Sequence, residues 1–158
     1  MSFWDLFRSP VAISGFFALL LSQLFKVPID YLRNQRKDWN WSLLFNAGGM
    51  PSSHSALMAA VTTSIGLYVG WGSPLFALAL AITSIVIYDA AGVRRQAGLH
   101  AERINKLVKQ LFSTGKIDGE EWDVLLESIG HSRGEAFAGI LFGIAVALIV
   151  RLLMPPII

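Results

Sequence analysis

The sequence predicts an all-α protein, a polytopic membrane helical bundle of about four spans with a cytoplasmic amphipathic helical hairpin inserted before the last span. Three observations carry that expectation. Four apolar runs, at residues 10–25, 56–71, 74–88 and 136–154, punctuate the chain. Hydrophobic residues make up 54% of it and charged residues only 15%, against roughly 25% charged in ordinary soluble domains. The basic residues, finally, are confined almost wholly to two loops that such a bundle brings to one end. A soluble bundle would bury four such runs and be left with little polar surface, and the mean hydropathy of +0.54 argues the same way.

The 158 residues suffice for one domain, 1–158, and not for two independent cores. Crossing the hydrocarbon takes about 20 residues. The run at 136–154 is long enough outright, whereas the first three must borrow flanking residues. The first run has no basic segment before it and no small-residue cleavage pattern after it, so it reads as a retained span. Gly72 and Ser73 alone separate the second run from the third, which predicts a tight helical hairpin with Trp71 at the boundary. In the last span Gly139 and Gly143 form a G-x-x-x-G, the pattern of close helix packing.

Charge sets the expected topology. Lys26, Arg33, Arg36 and Lys37 follow the first span, and Arg94, Arg95, Arg103, Lys106, Lys109, Lys116 and Arg133 lie between the third and fourth, which leaves only Arg8 and Arg151 elsewhere. Positive loops stay inside, so both polar loops are expected in the cytoplasm and both termini outside. The net charge of +2 gives no support to nucleic-acid binding. With no cysteine, disulfides and thiolate metal sites are excluded.

The second polar loop has apolar periodicity of its own. Ile104, Leu107, Val108, Leu111 and Phe112 share a helical face; a break follows at Ser113, Thr114, Gly115 and Lys116. Asp118 and Glu121 then resemble a capping box, and Trp122, Leu125, Leu126 and Ile129 form a second stripe that ends at Gly130. Residues 99–130 are therefore expected as an amphipathic helical insertion.

The chemistry-bearing residues gather around Gly48-Gly49-Met50-Pro51-Ser52-Ser53-His54-Ser55, a polar string between a basic segment and an apolar run. Glycines and proline predict a turn, with Gly49 as support, and the serines are good helix N-caps. Amides in a first helical turn, with hydroxyls and the His54 imidazole beside them, suit a phosphate. Lys26 and Arg33 lie two helical turns apart and share a face. Arg94 and Arg95 offer forked guanidiniums that match phosphate oxygens, and Asp89, near the membrane boundary, calls for an arginine partner. Glu135 follows His131 by one turn, where its carboxylate can take one imidazole N–H and raise the nucleophilicity of the other nitrogen. His100 has no carboxylate at that spacing and reads as solvated.

Taken together these residues resemble the type 2 phosphatidic acid phosphatase superfamily, which is related to vanadium haloperoxidases. The whole chain is most similar to its divergent, short bacterial and plastid branch. The parent signature is K-x6-R-P, then P-S-G-H, then S-R-x5-H-x3-D. Lys26-x6-Arg33 matches the first without the proline, and Pro51-Ser52-Ser53-His54 matches the second with serine for glycine. The third is split. Arg94-x5-His100 keeps the Arg-to-His spacing with Ile104 in place of the acid, and His131-x3-Glu135 keeps the His-to-acid spacing with its arginine far upstream. The second half-match is favoured, because a nucleophilic histidine needs its orienting carboxylate.

The resemblance implies a metal-independent phosphatase with no cofactor, in which His131 attacks phosphorus, Glu135 steadies the imidazolium and His54 protonates the leaving oxygen. Lys26, Arg33, Ser52, Ser53 and Arg94 or Arg95 would hold the phosphate. The expected partners are the membrane and a phospholipid or polyprenyl phosphate substrate, with phosphatidylglycerophosphate first, and a homo-oligomer is left open. The expected location is a bacterial cell membrane, or a plastid-type one, with the site facing the cytoplasm. The alternative is a lipid-headgroup-binding or transport protein that kept the phosphate cradle without the chemistry.

Overall fold

A computed structural model of the chain describes residues 3–33, 39, 41–44, 48–114, 123–127 and 129–155. It is a helical membrane bundle. A 3-10 turn at Phe3–Arg8 leads into α1 (Pro10–Arg33), and a second at Trp41–Leu44 precedes α2 (Ser53–Tyr68). α3 (Pro74–Tyr88) runs through a π-helical turn, Asp89–Val93, into α4 (Arg94–Ser113). α5 (Arg133–Leu153) closes the chain.

α1, the continuous Pro74–Ser113 helix and α5 are long and apolar enough to cross a membrane. Two of these, with 24 and 21 residues, reach about 36 and 32 Å at 1.5 Å per residue, against a hydrocarbon core of about 30 Å. α2 has only 16 residues and falls short of that thickness. It is the central element instead, packed against α1, α3 and α5. Its composition explains why: Ser53, Ser55, Ala56, Ala59, Ala60, Thr62, Ser64 and Gly66 are all buried, and they cover about half of the helix circumference. Small residues let neighbouring backbones approach, which drives helix association where no water is present to do so.

Each neighbour of α2 is also held by a polar clamp. Ser64 donates to the Ser14 hydroxyl of α1 at 2.7 Å. The Thr62 and Thr83 hydroxyls meet at 2.7 Å across to α3. At the far end the Tyr68 hydroxyl donates to the Met154 carbonyl at 2.6 Å, with the Arg151 guanidinium 5.2 Å from its ring centre. Contact with α5 is closest of all, because a Cβ on Gly143 would collide with the Ala56 carbonyl and one on Gly139 with the Ser52 carbonyl. The G-x-x-x-G read from the sequence is thus a packing face.

The inserted hairpin is half corrected. Its first arm begins at Arg94, earlier than residue 99, and continues α3. Its expected second arm is not helical at residues 123–127 and 129, whereas Asp118, Glu121 and Trp122, with Gly115 and Lys116 of the break, lie outside the described residues. The reason is geometric. Leu125 is held at Asn105, and Gly130 abuts Arg94 and Arg95. Five residues must therefore retrace ten of α4, about 15 Å, which an extended chain covers and a helix, at about 7.5 Å, does not. Arg36 and Lys37 also lie outside the described residues.

Gly143→Ala forces α2 and α5 apart against backbone on the α2 side. It should destabilise the bundle by about 1–3 kcal/mol, as overpacking does, read as a lower thermal unfolding midpoint in detergent.

Candidate functional site

Helix ends build the site. Ser52 caps α2, its hydroxyl accepting from the Ser55 amide at 3.4 Å and from the Ser55 hydroxyl at 3.1 Å. Ser132 caps α5 in a full capping box: its hydroxyl accepts from the Glu135 amide at 3.2 Å, and the Glu135 carboxylate accepts from the Ser132 amide at 2.8 Å. The two N-termini are joined by backbone, Ser52 N–H donating to the Glu135 carbonyl at 3.0 Å. Both capped turns therefore sit side by side, with His54 on one and His131 just before the other.

The third wall is the π-helical turn. There Arg94 N–H bonds five residues back, to the Asp89 carbonyl. A π register displaces the helical ladder and recurs at functional sites. Here the Ala90 carbonyl accepts from the His131 amide at 3.0 Å. Gly130, at φ +86°, makes the turn that delivers His131. His54, Val86, Asp89, Ala90, Arg94, Ile129, Gly130 and His131 enclose a cavity of about 50 Å3. Since one water sphere takes about 10–15 Å3, that volume suits a group of a few heavy atoms, the size of a phosphoryl group.

His131 is buried, with 2% of its surface exposed, and neither ring nitrogen has a protein hydrogen-bond partner among the described residues. Nδ1 lies 3.7 Å from Glu135 Oε2. That is close enough for strong attraction to an imidazolium and slightly too long for a hydrogen bond, and contacts of this kind tighten when substrate binds. A buried imidazole left unsatisfied is costly in a merely structural role. His54 is more open. Partial burial pushes its imidazole below the ordinary value, and the positive charges of His131, Arg94 and Lys26 push it the same way.

The structure sorts the remaining predicted residues. Arg94 lines the cavity, and Asp89 orients it, accepting from Nε at 2.5 Å. Arg95 is exposed and absent from the cavity wall. Lys26 is buried, its stem running within 3.5–3.8 Å of where a Gly49 Cβ would sit, and Glu135 is a carboxylate within its electrostatic reach. Gly49 adopts φ +97°, so a side chain there is strained, although the Lys26 stem would leave it an ordinary contact distance. Arg33 is exposed and points Nη1 at Met50 Sδ, 3.9 Å away. Ser53 is buried at the start of α2 and does not line the cavity.

Ser52 is buried at the same helix end; its amide ties α2 to the Glu135 carbonyl of α5, and its hydroxyl oxygen accepts from Ser55 within the α2 cap. His100 stands exposed on α4, outside the cavity wall. Sequence reasoning missed Ala90, the π turn and Gly130. The only local signal for them was a run of small residues, Ala90, Ala91 and Gly92, beside Asp89, and an unexplained glycine before His131.

The family model described as Divergent PAP2 family matches residues 7–146. An uncharacterized membrane protein of Bacillus subtilis (strain 168), YuiD, is 39% identical over 145 residues, covering 87% of this chain and 90% of its own length. No solved structure matches.

Loss of a charge-assisted hydrogen bond removes about 1.5–3 kcal/mol. Arg94→Ala should therefore weaken inorganic phosphate binding tenfold or more, to the order that such a loss implies, whereas Arg95→Ala should change it less than threefold, both measured by calorimetry in detergent.

Proposed function

The chain belongs to the Divergent PAP2 family, and on that premise we propose that it is a lipid-phosphate phosphatase working through a phosphohistidine. The observation that carries this reading is the buried His131 with unsatisfied nitrogens, sharing a phosphoryl-sized cavity with His54 and Arg94. Nδ1 faces Glu135, which leaves Nε2 as the nucleophile. Nε2 attacks phosphorus, and the bond from phosphorus to the lipid oxygen breaks. His54 gives its proton to that leaving oxygen. Water, deprotonated by His54, then attacks the phosphohistidine and releases phosphate.

Glu135 supports the imidazolium through its charge, while the capping box fixes where its carboxylate stands. Arg94, fixed by Asp89, offsets the charge on the equatorial oxygens, with the charge of Lys26 adding to it from a distance. Positioning and charge stabilisation of this kind account for most phosphoryl-transfer catalysis.

The basic residues around the site favour the cytoplasmic face of a bacterial cell membrane, and hence lipids made on that leaflet. Phosphatidylglycerophosphate is the first choice, with phosphatidate and a polyprenyl phosphate next. A second reading, a headgroup-binding or transport protein without turnover, draws on one observation. The Glu135 carboxylate is bonded to the Ser132 amide and stands beyond hydrogen-bond length from His131.

Phosphate release from phosphatidylglycerophosphate micelles by the purified protein in EDTA separates the two. His54→Ala and His131→Ala should each lower kcat/KM by about 10²-fold or more, and His100→Ala should leave it unchanged. Equal loss in the His100 variant would move the nucleophile there, and no release by the parent protein would favour the binding reading.

The pH profile gives an independent check. His54 must be protonated to act as the acid, and its imidazole titrates below the ordinary value of 6.5. In kcat/KM, which reports the free enzyme, the parent protein should therefore lose activity as pH rises through a range below that value. His54→Gln should lack that limb and keep only the one due to the substrate's own ionisation.

A further inference from the structure

His131 is delivered by a segment with no helix among its described residues, 123–127 and 129–131. These residues run antiparallel to the α4 end of the long helix, and four contacts fix their register. The Asn105 carboxamide takes the Leu125 N–H at 3.0 Å and gives its own N–H groups to the Leu125 carbonyl and Glu127 Oε1, each at 2.8 Å. Gly98 lies under the strap so closely that a Cβ would sit 2.5 Å from the Ile129 carbonyl oxygen and 2.8 Å from that of Glu127. Gly130 rests on the Arg94–Arg95 backbone. His131 then bonds to Ala90.

We propose that Asn105 is a positioning residue for His131. The inference rests on His131 being the phosphoryl acceptor, and it concerns how that imidazole is held. Asn105 stands roughly 16 Å along the helix from Arg94, outside the cavity wall and too far off to touch a phosphate there. Its carboxamide grips both the N–H and the C=O of one backbone residue, as a neighbouring strand would. A slip of one residue in this strap moves His131 by about 3.3 Å and turns its side chain to the other face. The bundle itself does not depend on the strap, since α1, α2 and α5 pack without it. Its loosening therefore releases His131 and leaves the membrane core intact.

The chain's three histidines supply their own controls. His131 is buried, whereas His54 and His100 are exposed. The full-length protein in detergent is treated with diethyl pyrocarbonate, and carbethoxylation of each histidine is timed by mass spectrometry. Asn105→Ala should raise the His131 rate at least tenfold and leave those of His54 and His100 within twofold. On phosphatidylglycerophosphate micelles the same variant should lower kcat by at least about tenfold, within the roughly 10²-fold that a 1 Å misplacement can cause, with KM held within twofold.

Gly98→Ala, which lifts the strap from the other side, should do the same. Asn105→Asp sets a carboxylate against Glu127 and should also release His131. Adding Glu127→Gln to it supplies a donor to the carboxylate and should recover part of both protection and kcat, since the Leu125 carbonyl still lacks its donor. An unchanged His131 rate in Asn105→Ala and Gly98→Ala overturns the proposal, as does a rise shared equally by all three histidines, which would make Asn105 a residue of the general fold. The labelling does not depend on turnover. A protein without phosphatase activity would therefore defeat the proposed function and leave the test of the strap in force.

Discussion

One backbone hydrogen bond, from the Ser52 amide to the Glu135 carbonyl at 3.0 Å, ties together the two halves of the chain on which the site depends. It joins the N-termini of α2 and α5, the two helices in most intimate contact. It can form because Gly139 leaves room for the Ser52 carbonyl beside it. In hydrocarbon or at its edge, an amide without a partner is expensive, so each helix end needs what the other offers. The outcome is a pair of capped turns held in fixed relation, with a histidine on each. The relation between the two capped turns is thus a consequence of helix packing.

Around that pair the Arg94–Asp89 ion pair stands in the cavity wall. Asp89 neutralises part of Arg94 and fixes its direction, and both remain partly open to solvent. Glu135 is shared between the Ser132 amide, the approach of His131 and the field of Lys26. Lys26 is buried, and its charge reaches both Glu135 and His54. A dianion bound in the cavity would face Arg94 and the two imidazoles that line it. Binding would also favour the protonated form of His54, the form needed to protonate a leaving oxygen.

Features written in short-range patterns were legible in the sequence. The α3 and α5 boundaries follow apolar runs bounded by Ser73 and Ser132 caps, whereas His131 stands before the Ser132 cap, outside the helical turn its spacing from Glu135 suggested. The Gly139–Gly143 face follows from its spacing. Features that depend on contacts distant in sequence were not. Leu125, Leu126 and Ile129 have helical spacing, yet the bond to Asn105, twenty residues earlier, holds them out of a helix. The π turn depends on no local signature, and its free carbonyl is matched by an amide from residue 131. Ser52 reads locally as a phosphate-facing cap, and only the partner on α5 shows its amide to be engaged. Arg94 and Arg95 are equivalent as neighbours in the chain; their separation into a cavity residue and a surface residue depends on the helical phase set by that π turn.

The central claim is that His131 carries the phosphoryl group at this cavity. Trapping the intermediate tests it most directly: the protein is mixed with a phosphorylated lipid substrate, quenched in alkali, in which phosphohistidine survives, and digested for site-resolved mass spectrometry. The account predicts a phosphoryl group on the peptide bearing His131. A phosphoryl group on His100, or steady phosphate release with His131 unmodified at every quench time, would contradict it.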